Sequence, residues 1–403
     1  MADDLLARAR QHVFMAGVDD SGARLCEANA CFGVAKIQHV QSQLGVKPDA
    51  TFVGAPDATI TRNDRRWIQG FGYGGVYEWS GEFAVLDIKP NACGMLTGSL
   101  PDHPELEQVR QRLRDLSRDG LTLDGVELDN DLTESNHFVD VFEISDEGSS
   151  EPVPGGNRHV FIMHSSGHEH RDKTARGVGL YWDLSEELLA MARVLDTPWG
   201  TLRVLEGDRA HEWYEFYQKV QDFNHRRREA LASYLFGDFD VVINATHQGM
   251  VRGYNRANIG CYTFDDPAGG ERPLFPLTLS PTLPAFLVRG EKNFTDSAVA
   301  ALGWEKRIDE NDLSERIAGT NILPHGGGYL YPQIDGVARV LQKGPDDRRF
   351  VLIPTNPHET ADIIETPGGL PYGYRGMEVK DRMESLGLGR ATIKLDLKYV
   401  LEQ

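Results

Sequence analysis

The chain has 403 residues, of which 40% are hydrophobic and 26% are charged, a composition typical of a globular protein. Its 42 Lys and Arg against 61 Asp and Glu give a formal net charge of −19, which argues against a protein that coats nucleic acid, so any contact with a polyanion must be local. The sequence contains no apolar run of about 18 residues and no signal-like N-terminus, and we therefore expect a cytoplasmic protein without a membrane contact.

The predicted elements begin with helices and end with strands. Helical periodicity covers residues 3–14, 27–44, 105–116, 185–194 and 210–235. Strand-like runs lie between and after these helices: VYEW, FAVLDI, HFVDVFEI, HVFIMH, DVVINATH, PLFPLTL, AFLVRG, RFVLIP and ATIKLDLKYVL. Strands and helices neither alternate strictly nor segregate, and no repeat or long linker divides the chain. The pattern predicts an α+β fold with large mixed β-sheets as a central core flanked by helices, in a single domain over residues 1–403.

Two segments place a carboxylate and a metal-ligating side chain near a strand end. In FAVLDIKPNACGM, Asp87 ends an apolar run and Cys93 precedes a glycine, and a carboxylate and a thiolate can share a divalent cation. In NHFVDVFEI, Asn136 and His137 open a strand that carries Asp140. The plainer alternatives are a packed thiol and a hydrogen-bonded structural histidine.

Further histidines follow apolar runs, and strand ends are where binding sites are commonly built. HVFIMHSSGHEH delivers His164 into a turn that carries His168 and His170, and DVVINATHQGM contains His247. A set of one Cys, one Asp and several His favours zinc or another borderline metal over magnesium. Incidental clustering of the histidines is the alternative.

The segment NILPHGGGYLYP follows His325 with three glycines, Gly326, Gly327 and Gly328. Glycine backbone N–H groups can approach a phosphate closely, so an imidazole beside them is suited to attack on a nucleotide α-phosphate. A flexible turn is the equal alternative on this segment alone.

Taken in order, these segments resemble the motifs of the RtcB-type RNA ligases of tRNA splicing and RNA repair, across nearly the whole chain. GAPDATITRNDRRWIQGFGYGG resembles the family's MPD loop, LDIKPNACGM its Asp-x-x-Cys-Gly motif, NHFVD its Asn-His-Phe-Leu-Glu and IMHSSG its His-Ser-Gly-Ser. INATH resembles the region of its later metal histidine, LTLSPTLPAFLVRG its Pro-Gly-Ser-Met-Gly-Thr-x-Ser-Tyr, and LPHGGGY its His-Gly-Ala-Gly-Arg.

The resemblance implies an RtcB-like fold and a ligase that joins RNA 3′-phosphate or 2′,3′-cyclic phosphate ends to 5′-hydroxyl ends, with GTP and two Mn²⁺ ions as cofactors. His325 is implied as the nucleophile that takes GMP from GTP. An archease-like activator is an implied further partner. The implied ligands of the Mn²⁺ ions, or of Zn²⁺ by ligand type, are Asp87, Cys93, His137, His164 and His247, with Asn91 as an alternative to Asp87 because five residues separate Asp87 from Cys93 where the family has two.

The resemblance also implies the contacts of the nucleotide. The residues expected around it are Asn136, Asp140, Ser280, Gly326, Gly327, Gly328, Tyr374 and Lys398, the last in place of the family's terminal lysine. Two other functions stay open at this point: a di-metal RNA phosphoesterase or nuclease in which His325 only binds phosphate, and an inactive RtcB-like protein that binds RNA ends or nucleotide.

Overall fold

The computed structural model describes residues 2–132, 137–265 and 272–401, so the predicted phosphate contact Asn136 lies outside the described residues. No helix in these ranges is both long enough and apolar enough to cross a bilayer. The helices are α1 (Ala2–Gln11), α2 (Ser21–Gln43), α3 (Asp64–Gln69), α4 (Leu106–Asp119), α5 (Glu186–Met191), α6 (Asp208–Phe236), α7 (Asp296–Leu302), α8 (Glu305–Asn311), α9 (Ser314–Ala318) and α10 (Glu378–Ser385).

The strands run through the whole chain. The first half contains β1 (Val13–Met15), β2 (Thr51–Ile60), β3 (Gly72–Glu78), β4 (Phe83–Val85), β5 (Cys93–Leu100), β6 (Thr122–Leu123), β7 (Val126–Glu127), β8 (Phe138–Ile144), β9 (His159–Ser165), β10 (Arg193–Thr197) and β11 (Gly200–Glu206). The second half contains β12 (Asp240–Met250), β13 (Arg256–Ile259), β14 (Cys261–Thr263), β15 (Leu274–Leu277), β16 (Ala285–Gly290), β17 (Ile322–Pro324), β18 (Tyr329–Leu330), β19 (Ile334–Gln342), β20 (Arg348–Pro354), β21 (Ile363–Ile364), β22 (Gly373–Tyr374) and β23 (Gly389–Leu401).

The dominant element is one 11-stranded sheet, in the order β1-β2-β3-β13-β12-β5-β9-β8-β23-β16-β15. It is mixed, because β1 pairs with β2 in parallel while the other neighbours shown pair antiparallel. The remaining strands form small sheets of two or three strands. The predicted α+β class with a mixed sheet and helices is confirmed, although the described residues contain one large sheet rather than several.

The alternation of side chains along β9 shows what covers each face of the sheet. Phe161 and Met163 face a core shared with α4 and α6, whereas Val160 and Ile162 face a core shared with β15, β16 and β23. On the first face, α4 contributes Val109, Leu113 and Leu116, which recur at helical spacing. A second large helix, α2, packs against β2 and β3. The sheet therefore buries both of its faces.

The second core shows that the sheet curls. Met95 of β5 belongs to one buried cluster with Leu287 of β16 and Leu395 of β23, although β5 is a neighbour of neither strand. The edge strand β15 also approaches β12 on the far side of this cluster. Side chains from six strands therefore fill the inside of the curl, and its open end forms one wall of the cleft described below.

Three predicted elements differ from the structure. The helix predicted over residues 185–194 ends at Met191, because Arg193 and Val194 belong to β10. The helix predicted over residues 3–14 ends at Gln11, because Val13 and Phe14 pair with β2 in the sheet. The run FAVLDI was expected to be one strand, but only β4 is extended, and Leu86–Ile88 form a 3-10 turn. This turn changes the direction of Asp87, with consequences for the site.

Candidate functional site

Neighbouring strands of the large sheet bring a cysteine and two histidines together. Cys93 is the first residue of β5, and His164 lies near the end of β9, directly paired with Met95 of β5. On the other side of β5, the pairing with β12 skips His247: Thr246 pairs with Gly94 and Gln248 with Cys93. The resulting bulge gives His247 a direction that regular alternation would not, since an extra residue in a strand rotates its side chain.

The donor atoms of these three residues converge on one buried point. The Cys93 Sγ lies 3.2 Å from His164 Nε2, which in turn lies 3.2 Å from His247 Nε2. All three donor atoms lie within 4.8 Å of one another. No other group of this kind occurs in the part of the chain that the structure describes. Three of the five predicted ligands therefore lie together in the structure.

His137 lies beside this cluster, just before β8. Its Nε2 is 3.6 Å from the Cys93 Sγ, and its Nδ1 is 2.9 Å from the Asp131 carboxylate. Asp131 is in turn paired with the buried Arg227 guanidinium at 2.8 Å. A carboxylate behind a histidine fixes the ring orientation and directs the other nitrogen forward, an arrangement common among metal-ligating histidines. The His137 ring is therefore oriented so that its Nε2 could contact a ligand bound at Cys93.

The electrostatics of the cluster favour a thiolate. Burial alone would raise the pKa of the Cys93 thiol, but the neighbouring histidines, of which His137 is the one that keeps its proton, lower that pKa well below its usual range. Burial lowers the pKa of His164, and it lowers that of His247 to about 3, so both rings are neutral at physiological pH. Burial also opposes charge on His137, but its hydrogen bonds to Asp131 and Cys93 raise its pKa to about 10.

The donor set fits a metal ion. One thiolate and two neutral imidazoles offer three lone pairs toward a common point, and such sets suit zinc or iron better than magnesium or calcium. The His247 Nδ1 is buried and has no hydrogen-bond partner among the described residues. The Nε2 atoms of His164 and His247 lie 3.2 Å apart and face the same point as the Cys93 Sγ, so an ion could be held between the three donor atoms. The cluster Cys93, His164 and His247 could therefore hold a metal ion.

His325 lies next to this cluster, immediately after β17. Its ring centroid is 4.6 Å from that of His247. Its Nδ1 and its backbone N–H both contact the Asp57 Oδ2, at 2.8 and 3.0 Å, and the Gly326 N–H donates to the same oxygen at 3.2 Å. Among the described residues its Nε2 makes no hydrogen bond. With Nδ1 held by a carboxylate, the lone pair of the neutral ring lies on Nε2, which is the nucleophilic atom.

The turn after His325 requires glycine. Gly328 has a φ of 66°, which favours glycine, and a side chain there would meet the Asp57 carbonyl oxygen. A side chain at Gly327 would meet the Arg375 carbonyl oxygen at 2.5 Å. Arg375 is fully buried, and its guanidinium donates to the Gly327 and Asp57 carbonyls. The three glycines therefore form a tightly braced turn and not a flexible loop.

One cleft of about 770 Å³ joins these groups. Cys93, His137, His164 and His325 line it, together with the glycine turn. Three of the predicted nucleotide contacts, Asp140, Ser280 and Tyr374, also line it. A volume of this size accommodates a nucleotide. The structure thus brings most of the predicted site residues to one cavity.

Two predicted site residues lie elsewhere. The Asp87 carboxylate is buried and accepts from the Arg203 backbone N–H at 2.6 Å and from the Arg203 guanidinium at 3.0 Å. The 3-10 turn at Leu86–Ile88 directs it toward β11, so it is not a member of the Cys–His–His cluster. Asn91, the alternative ligand, lines the cleft but accepts from the Cys93 N–H. Lys398 pairs with Glu143 and does not line the cleft.

Sequence reasoning did not assign roles to Asp57 and Asp131, the carboxylates that orient His325 and His137. Asp57 lies in the GAPDATIT segment, where the resemblance to the MPD loop was the available signal. Asp131 lies in an acidic stretch whose pattern is that of an ordinary exposed loop. In comparisons with known proteins, no family model and no curated protein sequence matches the chain.

Proposed function

We propose that the protein is a GTP-dependent RNA ligase that joins RNA 3′-phosphate or 2′,3′-cyclic phosphate ends to 5′-hydroxyl ends through a nucleotidylated His325. The observation that carries the proposal is the pairing of His325 with two different partners. Asp57 holds its Nδ1 at 2.8 Å, and the Cys93–His164–His247 cluster lies beside its ring, in one cleft with the glycine turn. A histidine that only filled the core would need neither arrangement.

The residues of the chain account for the nucleotide-transfer step. His325 Nε2 attacks the α-phosphorus of GTP, the new N–P bond forms, the P–O bond to the β-phosphate breaks, and pyrophosphate leaves. Asp57 stabilises the positive charge that develops on the imidazole ring. The backbone N–H groups of Gly327 and Gly328 belong to the turn that lines the cleft, where they can donate to phosphate oxygens.

Two further transfers complete the reaction. An oxygen of the RNA 3′-phosphate attacks the phosphorus of histidyl-GMP, and the N–P bond breaks to release His325. The 5′-hydroxyl then attacks the activated 3′-phosphorus, its proton is lost, and GMP leaves as the phosphodiester forms. A metal ion held by Cys93, His164 and His247 would supply charge neutralisation at phosphate oxygens.

A second candidate function follows from the short distance between the rings of His325 and His247. Because the ring of His325 lies only 4.6 Å from that of His247, His325 can instead bind a phosphate directly beside the cluster. The protein would then be a metal-dependent phosphoesterase or nuclease that acts on RNA ends. In that reaction no covalent bond to His325 forms.

The test is incubation of the full chain with α-labelled GTP and Mn²⁺. We expect one label per chain, labile to acid and stable to base as a phosphoramidate is, and its loss in His325→Ala with the metal content unchanged. Loss of metal from His325→Ala would contradict the separate roles of His325 and the cluster. A wild-type chain that turns over RNA ends without ever retaining label would favour the phosphoesterase.

A further inference from the structure

One wall of the cleft carries arginines that lack acidic partners. Arg62, Arg66 and Arg171 line it, and none of the three forms an ion pair with a carboxylate among the described residues. Among the residues that the structure describes, Asp140 is the only carboxylate that lines the cleft. In a chain with a net charge of −19, this local excess of positive charge needs a cause. Arg62 and Arg66 follow β2, and Arg171 lies in the segment after β9.

Arg66 shows how strongly the fold holds this charge. It is 6% exposed, and its guanidinium donates to the backbone carbonyls of Ile88 and Lys89, both at 3.1 Å. Carbonyl oxygens satisfy hydrogen-bond donors but do not neutralise the charge. Burying a cation without a counter-ion is costly. An anion that enters the cleft would supply the missing charge.

The neighbouring cations strengthen the same conclusion. Arg171 has a buried Nε with no hydrogen-bond partner among the described residues, and its guanidinium lies 5.4 Å from the centre of the Tyr181 ring. On the other face of this group, Arg65 and Lys89 share one carboxylate, that of Asp183. Positive charges thus outnumber negative charges here, and each raises the free energy of the others.

Tyrosines lie beside the arginine wall. The rings of Tyr329, Tyr372 and Tyr374 are in mutual contact, with centroids 5.0 to 6.1 Å apart. Tyr372 is 40% exposed and Tyr374 is 46% exposed, and the Arg62 guanidinium lies 4.2 Å above the Tyr372 ring. Basic side chains next to exposed aromatic rings are the combination that binds single-stranded nucleic acid, because phosphates bind the charges and bases stack on the rings.

We propose that Arg62, Arg66 and Arg171 bind the phosphodiester backbone of a single-stranded RNA end, and that the tyrosine group of Tyr329, Tyr372 and Tyr374 stacks one of its bases. This inference rests on the proposed function, because it assigns the wall to the RNA substrate and leaves the glycine turn to the nucleotide. A strand is favoured over a lone phosphate because a lone phosphate could contact the arginines but offers no base to stack on the tyrosines.

The test is equilibrium binding of a fluorescent single-stranded octaribonucleotide with a 3′-phosphate to the full chain, without GTP, across a range of salt concentrations. Arg62→Gln and Arg171→Gln should each weaken binding about tenfold. Each should also lower the slope of log affinity against log salt by about 0.7, the value for one lost phosphate contact on a single strand. Tyr372→Ala should weaken binding about tenfold, and Tyr372→Phe should retain it.

The control is Arg118→Gln, which removes one positive charge from an exposed position of α4, outside the cleft. Equal binding by the cleft variants and the wild type, or equal weakening by Arg118→Gln, would overturn the proposal. Competition by uridine 3′-monophosphate as strong as that by the octamer would overturn it too, because the wall would then serve a single phosphate. If RNA binding depends on the arginines but His325 never retains label, the RNA-binding inference stands and the proposed ligase activity is contradicted.

Discussion

A single oxygen of Asp57, which is itself fully buried, contacts the backbone N–H and the Nδ1 of His325 and the backbone N–H of Gly326. The backbone contacts fix where the turn begins, and the contact to Nδ1 fixes the ring. An imidazole held in this way presents the same nitrogen to the cleft in every molecule, which lowers the entropy that must be lost before attack. Asp57 therefore contributes through its negative charge as well as through the position of its carboxylate oxygen.

Asp57→Asn tests that charge. The amide oxygen can still accept from the backbone N–H groups, but it cannot stabilise an imidazolium ring. We expect the rate of covalent labelling to fall by at least about 10²-fold, in line with the loss seen when a carboxylate behind a catalytic histidine becomes an amide. Metal content and melting temperature should change little. Labelling at the wild-type rate would show that Asp57 serves only to fold the turn.

Cys93 is the one sulfur donor of the cluster, and its position at the start of β5 places it between His137 and His164. We expect Cys93→Ala to lose the bound metal, since two neutral imidazoles alone hold a borderline metal weakly. Elemental analysis of protein purified without chelator gives the stoichiometry. Cys31→Ala is the matched control, because Cys31 is equally buried but lies in α2, far along the chain from the cluster. Full metal content in Cys93→Ala would exclude the cluster as the site.

At the scale of elements, the site depends on how strands and turns meet. Cys93, His164 and His247 could be predicted from short local motifs, because the two histidines follow apolar runs and Cys93 precedes a glycine shortly after another. Their convergence also needed β5, β9 and β12 to be neighbours, and a bulge at His247 that no local pattern indicates. Asp57 contacts His325 from 268 positions away in the sequence, so only the completed fold reveals the pair. Asp87 was predicted as a ligand because a local pattern was misleading. The apolar run that contains it was expected to be one strand, but the run ends in a 3-10 turn.

Arg375 connects three such elements. Its guanidinium binds both oxygens of Asp20, the residue that caps α2, at 2.5 and 2.7 Å. It also donates to the carbonyls of Asp57 and Ala58 in β2, and to that of Gly327 in the glycine turn. One buried side chain therefore couples the helix cap, the strand that carries Asp57 and the turn that follows His325.

Arg375→Met should break this connection. The loss of one partner from a buried ion pair costs about 3 kcal/mol or more, and the freed carbonyls add to it. We expect the free energy of unfolding in urea to fall by about that amount, and labelling at His325 to fall with it. Arg375→Lys keeps the charge but not the fork of donors, so its free energy of unfolding should lie between those of the wild type and Arg375→Met. A variant Arg375→Met as stable as the wild type would show that the turn is braced by its backbone alone.

At the scale of the whole molecule, the fold buries charge in places that do not serve the cleft. The Lys36 side chain of α2 is fully buried, and its ammonium donates to the Gln69 amide oxygen at 2.7 Å and the Thr201 carbonyl at 3.4 Å. The charged groups that influence it are Arg348, Asp87, Asp346 and Arg203, two of each sign. Burial is the largest influence and lowers the pKa of Lys36 to about 7.

This lowered pKa makes stability depend on pH in a stated direction. In the unfolded chain the lysine keeps its proton up to its ordinary pKa of about 10.5. Below pH 7 both states are protonated and the folded state bears the full cost of a buried cation. Between pH 7 and about 10 the unfolded state binds more protons, so the free energy of unfolding should rise with pH, by up to about 1.4 kcal/mol per pH unit from this group.

Lys36→Met removes this dependence, and the measurement is the free energy of unfolding of wild type and variant at several pH values from 6 to 10. The difference between the two chains should move in favour of the wild type as the pH rises above about 7, because only the wild type sheds the buried charge. Subtracting the variant cancels other groups that titrate in this range. Lys47→Met, which removes an exposed lysine, should show no such trend. A constant difference for Lys36→Met across the range would mean that the buried ammonium keeps its proton.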